Sequence, residues 1–335
     1  VSDEVLQRID GSRAQAVLER DRPIEPAFLL ERPPFDTWPY RMANPTAVGA
    51  VGPPVCRIVV GDPLDQALHL FDFDGKYEKS VAFGDPRSPE VLTISALGVD
   101  SETGNVEIFD VGRKKAVKVG LLDPGPPVTR PTVLPPFPPG VLGTAFLGEV
   151  LPDAAPGILG GFELSVPDDE DLSQALNEGA VVTFGDTLWF ARFVDGRFFK
   201  FVKGSDHRPR LAQVVSIPVH FRIDRPEHVI LDGVNKIPIQ TQRHINAVFF
   251  HGQKAFTYLQ TVTPYERWAI VTEDRLTGSA ESFPVGRVRA LTAISDLVIT
   301  IESVDHAETW VNRREVVAYR IPGSEGTACH ESLRN

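Results

Sequence analysis

Two stretches of this chain repeat a turn-and-strand pattern at an offset of 38 residues. Asp62 is followed nine and ten residues later by Phe71 and Asp72, and Asp100 is followed at the same offsets by Phe109 and Asp110. The stretches VVGDPLDQALHLFDFDGKYEKSV and LGVDSETGNVEIFDVGRKKAVKV each read as strand, turn, strand, turn, strand. One such unit cannot hide both of its faces alone. Self-similarity at this period therefore points to β units stacked around an axis or along a line, a propeller above all.

Later segments keep the form. AVVTFGDTLWFARFVDGRFFKFV carries Gly185-Asp186 and Asp195-Gly196 as turns, with aromatic residues on both faces of the pleat. AVFFHGQKAFTYLQT turns about His251-Gly252, and ALTAISDLVITIESV about Ser295-Asp296. With Asp62, Asp100, Asp186, His251 and Asp296 as markers and one more inferred between them, units recur every ~47 residues, the span of a propeller blade. The expected fold is all-β: a six-bladed β-propeller of four-stranded antiparallel blades over 56–335. Residues 1–55 are then an N-terminal extended arm with short helices packed on the propeller, because the Pro-rich part before Cys56 cannot be a central strand.

The elements Gly185-Asp186-Thr187-Leu188-Trp189 and Phe71-Asp72-Phe73-Asp74-Gly75-Lys76 resemble the repeats of six-bladed bacterial propellers of the NHL and TolB-like types. That resemblance implies a secreted or periplasmic protein and rests on turn residues. It carries a fold and almost nothing about a site.

Composition narrows the partners. There are 45 acidic against 34 basic residues, a formal charge of −11, which repels a phosphate backbone and argues against nucleic acid. The sequence has no apolar run long enough for a transmembrane segment. Cys56 and Cys329 lie near opposite ends. A propeller closed by a terminal strand would bring them together for a disulfide; otherwise they are two free thiols.

No GxSxG elbow, P-loop or His-pair metal motif is present, so no reaction is named. A calcium-dependent lactonase or esterase would gather carboxylates and Asn at the central channel, with Glu90, Glu149, Glu163, Asn235, Asn246 and Asp296 as candidates. The Asp residues of the markers also have the plainer duty of capping their own turns. Rings beside Arg suit a sugar, an anion or a peptide. Those residues, Arg243, His244, Asn246, Tyr265, Arg267, Trp268 and Trp310, form the expected ligand surface. The leading reading is an exported, monomeric propeller without catalysis or cofactor that binds a small molecule, glycan or protein in the periplasm or outside the cell. The alternative is the Ca²⁺-dependent hydrolase.

Overall fold

The short apolar run from Arg57 and the alternating run from Ala67 predict strands, and a computed structural model of the chain shows what covers their faces. It describes residues 6–8, 26–34, 41–53, 55–100, 103–110, 113–122, 125–131, 143–150, 173–174, 176–194, 197–204, 209–216, 228–231, 235–238, 245–251, 254–260, 266–272, 275–276, 281–282, 287–294, 297–305, 312–320 and 329. The chain opens with β1 (Leu6–Arg8) and β2 (Pro26–Leu29). An antiparallel sheet follows: β3 (Ala47–Val51), β4 (Arg57–Asp62), β5 (Ala67–Phe71) and β6 (Tyr77–Ala82). Next come β7 (Ala96–Asp100), β8 (Asn105–Asp110), β9 (Lys115–Gly120) and β10 (Val128–Pro131). After β11 (Gly143–Phe146) and the single turn α1 (Leu147–Val150) stand β12 (Glu178–Phe184), β13 (Thr187–Arg192), β14 (Arg197–Lys203) and β15 (Pro209–Ser216).

The hairpin β16 (His228–Leu231) and β17 (Asn235–Pro238) precedes β18 (Ile245–His251), β19 (Lys254–Gln260), β20 (Glu266–Thr272), β21 (Arg275–Leu276) and β22 (Glu281–Ser282). The last strands are β23 (Arg287–Ile294), β24 (Leu297–Asp305) and β25 (Asn312–Arg320).

Six separate blades are not found. Among the described residues, four sheets of blade width or more make the propeller: β3–β6, a ten-stranded sheet from β1 through β15 to β10, the β18–β22 sheet, and β2 with β23–β25. The ten-stranded sheet joins two antiparallel meanders through β11, whose only pair with β7 is Gly143 opposite Ala96. Neighbouring sheets meet through β3, β7, β12, β18 and β23. β3 lies against β7 and β23, and β18 against β23 and β12, which closes the four sheets into a ring. The chain thus departs from the six-bladed NHL and TolB-like pattern.

The repeat spacing is also corrected. Phe71 ends the third strand of its sheet, whereas Phe109 lies in the second strand of the next. The 38-residue offset therefore pairs unlike strands. The structural equivalents lie 48 apart: β4 and β8 are both six residues long and both end in Asp, at Asp62 and Asp110.

Alternation explains the packing. Val59, Leu68 and Leu70 face Val106, Ile108, Val117 and Val119 of the next sheet, while Ile58, Val60 and Phe71 face Leu297, Ile299, Ile301 and Val316 on the other side. Phe109 and Ala116 turn away from the first sheet toward Phe190, Phe199 and Phe201. Burying each large apolar side chain stabilises the fold by roughly 1.5–3 kcal/mol. Such two-sided burial is what fixes strands in a propeller.

At the N-terminus, Leu6–Arg8 is not a short helix but a strand running parallel to β15, and β2 pairs with β25. Before residue 56, Ala47–Val51, a stretch free of proline, forms the first strand of the β3–β6 sheet. Cys56 and Cys329 are bonded, with Cα atoms 5.5 Å apart across 273 residues of chain. The bond lies in the core between the first sheet and the last.

Candidate metal centre in the first sheet

Three antiparallel meanders, those of β4, β8 and β13, use the last residue of that strand to hold the segment entering the strand before it. Asp62 Oδ2 accepts the amide of Asn44, and Oδ1 accepts those of Leu64 and Asp65 in the turn. Asp110 does the same for Leu92 and Thr93 with Oδ2, and for Arg113 with Oδ1. In the wide sheet buried Arg192 ends β13 and donates to Asn177 Oδ1, just before β12. Asp62 therefore has a structural duty that Asp110 and Arg192 share.

Two residues beside it go beyond that duty. Asp65 lies in the β4–β5 turn, and His69 sits in β5 opposite Val60 and Ser80. At the equivalent places of the next sheet stand Arg113 and Val117, and Val117 is an ordinary core residue. The fold can be built without an acid and an imidazole here. Their atoms nevertheless converge: ligand atoms of Asp62, Asp65 and His69 all lie within 4.8 Å of one another, and all three residues are buried.

Asp65 Oδ2 accepts the amides of Arg41 and Met42 at 2.7 and 2.6 Å. His69 Nδ1 is 2.9 Å from Ser80 Oγ, which is 2.8 Å from Tyr77 Oη. Its Nε2 is 3.2 Å from Asp65 Oδ2 in ion-pair contact but makes no hydrogen bond of normal geometry. Burial drives the Asp62 carboxyl above the usual range, and the Asp65 charge adds to this against the amide of Asn44. At Asp65 burial pushes the same way, yet His69 and the amides of Arg41 and Met42 outweigh it and hold the carboxyl low. Packed carboxylates of opposite tendency beside an imidazole make a site that a cation would relieve.

Ca²⁺ does not fit this donor set. It takes six to eight oxygens, whereas the cluster offers two carboxylates and a nitrogen. Among the described residues, Glu90, one of those expected for a calcium site at the central channel, lies elsewhere. Glu90 pairs with Lys115 at 3.0 Å on the surface of the second sheet. Glu163 and Asp296 lie outside the described residues, as do the side chains of Glu149, Asn235 and Asn246.

Of the expected ligand surface, Arg243, His244, Tyr265 and Trp310 lie outside the described residues. The backbone places Asn246 at an irregularity in β18, and Arg267 and Trp268 in β20 opposite Leu259 and Tyr258 of β19. Sequence reasoning took Asp62 as a turn residue and found no paired-histidine motif to draw His69 in. The usable signal was the D-x-x-D-x-x-x-H spacing, which a four-residue turn folds into one cluster.

No protein-family model matches this chain, and no curated protein matches it. Several solved structures align with it at low identity. A Bacteroides fragilis protein named as exported aligns at 10% identity over 94% of this chain and 99% of its own, with a TM-score of 0.46. The β-propeller domain of a Myceliophteria thermophila protein aligns at 13% identity over 89% and 99%, with a TM-score of 0.45. A luciferin-regenerating enzyme aligns at 8% identity over 86% and 95%, with a TM-score of 0.46. At these scores no function passes from them to this chain. The scaffold is a β-propeller compatible with ligand binding, and among the described residues no helix is long and apolar enough to cross a membrane.

Proposed function

We propose that this chain is an exported β-propeller that works with a divalent cation held by Asp62, Asp65 and His69. The observation that carries this reading is the convergence of three buried ligand atoms at a place where the neighbouring sheet keeps only Asp110, with Arg113 and Val117 in place of Asp65 and His69. Cation-free binding, the plainer use of the scaffold, accounts for the amides that Asp62 and Asp65 hold but not for a buried imidazole beside them. Export is supported by the Cys56–Cys329 bond, since such bonds form and persist in oxidising compartments.

A hydrolase is the second reading. Three protein donors are the set that leaves a coordination position for water, and a bound cation makes that water a nucleophile near neutral pH. The substrate would approach from the ring, with Asn246, Arg267 and Trp268 as proposed contacts. Metal analysis of the purified chain tests the main reading. About one equivalent of a divalent ion should be retained, and lost on chelation or in His69→Ala. A chain that neither retains nor takes up any ion overturns it. Lactone and ester hydrolysis that chelation abolishes supports the second reading, and a metal-loaded chain inert toward both classes removes it.

A further inference from the structure

We infer that the ion taken at Asp62, Asp65 and His69 is of the Zn²⁺ class, and that Ser80, backed by Tyr77, is the positioning residue that aims His69 Nε2 at it; this rests on the cation-binding reading above.

The donor types decide the class. An imidazole nitrogen with two carboxylate oxygens suits a borderline ion such as Zn²⁺, whereas Ca²⁺ and Mg²⁺ call for oxygen throughout. Spacing agrees with a small ion. Tetrahedral Zn²⁺ with bonds of ~2.0–2.1 Å sets its donors about 3.3 Å apart. His69 Nε2 and Asp65 Oδ2 are 3.2 Å apart, and His69 is 0% exposed with that nitrogen lacking a hydrogen bond.

The other ring nitrogen supplies the independent support. A metal-bound histidine donates its second N–H to a neighbour, which fixes the tautomer and the ring. Nδ1 meets Ser80 Oγ at 2.9 Å from the paired strand, and Ser80 Oγ meets Tyr77 Oη at 2.8 Å. With the proton on Nδ1, the Nε2 lone pair faces Asp65 Oδ2. A cation bound at Nε2 would take the place of the His69–Asp65 contact and keep Asp65 Oδ2 as a shared partner. Ser80 reaches the cluster through its hydrogen bond to the ring, so it acts through His69.

The experiment uses the full oxidised chain, stripped with chelator and titrated with Zn²⁺, Co²⁺ or Ca²⁺ alone. Zn²⁺ should bind at one equivalent and raise the melting temperature, while Ca²⁺ at the same concentration should not. Co²⁺ should give the intense visible bands of tetrahedral coordination, absent in His69→Ala. Ser80→Ala should weaken Zn²⁺ about 10- to 100-fold, and Ser80→Thr should restore it. Preference for Ca²⁺, or weak octahedral Co²⁺ bands, overturns the ion class and leaves cation binding standing. Failure of every ion overturns both. Unchanged Zn²⁺ affinity in Ser80→Ala overturns the positioning role, and if that variant does not fold, the Co²⁺ spectrum of the native chain still decides the class.

Discussion

Gln66 and Lys114 adopt the same left-handed backbone, φ 52° and 53°, at the same point of equivalent turns in consecutive sheets. Each follows its clasping aspartate, Asp62 or Asp110, by four residues. The turns share a conformation, but their side chains have different work. Buried Gln66 accepts the amides of Glu90 and Val91 and donates to the carbonyls of Pro63 and Val91, while Lys114 is exposed.

Glycine at these two places should therefore act in opposite directions. Lys114→Gly relieves left-handed strain and should stabilise the chain by up to about 1 kcal/mol. Gln66→Gly gains the same relief but strands the loop groups, and should destabilise it by about 2–3 kcal/mol. Urea denaturation of both variants checks this. Shifts of the same sign would mean that the Gln66 amide does not hold the loop.

Breaking the Cys56–Cys329 bond frees a loop of 273 residues. Cys329→Ser should cost about 2–5 kcal/mol and make the melting temperature insensitive to reductant. Calorimetry of both forms with and without dithiothreitol is the measurement. A native chain whose melting temperature ignores reductant would deny the bond its part in stability.

Gly179 leaves no room for a side chain. A Cβ there would press on the Ala191 carbonyl oxygen and the Phe190 ring. The carbonyl belongs to the paired strand and cannot yield cheaply, so Gly179→Ala should cost about 1–3 kcal/mol. Gly185→Ala meets open space and suffers only from its φ of 55°. Thermal unfolding should rank Gly179→Ala as the more damaging, and the reverse order would show that this strand pair can spread.

The two buried carboxyls make the acid limb of stability depend on sign. Asp65 is depressed in the fold, so its contribution is present above the ordinary carboxylate value of about 3.9 and lost as pH falls through the lower folded value. Asp62 is raised, so its ionisation costs stability at neutral pH, and the cost disappears as pH falls through the raised value. The stability gap between native chain and Asp65→Asn should shrink as pH drops from 5 to below 3. For Asp62→Asn it should move the other way. Equal gaps across that range in both variants would show that neither carboxyl is linked to folding.

Strand identity was largely legible in the sequence, because alternating runs such as ALHLFDF and turns such as Asp74-Gly75 and Gly185-Asp186 state their geometry locally. Blade number was not. It depends on which strands become equivalent, and the shared Phe-Asp pairs at 71–72 and 109–110 sit in different strands of their sheets. The disulfide stayed undecided for a similar reason, since only ring closure brings residues 56 and 329 together. The candidate metal centre was half visible. Asp62 was noticed as a turn residue, but that His69 shares a face with Phe71 and meets Ser80 depends on pairing with β6.

The bond between Cys56 and Cys329 gives the molecule a covalent hoop. A protease that nicks one exposed connection inside it releases nothing: the halves stay joined and run as one band until a reductant parts them. A protein tied in this way can survive cleavage that would dismantle an open chain of the same fold.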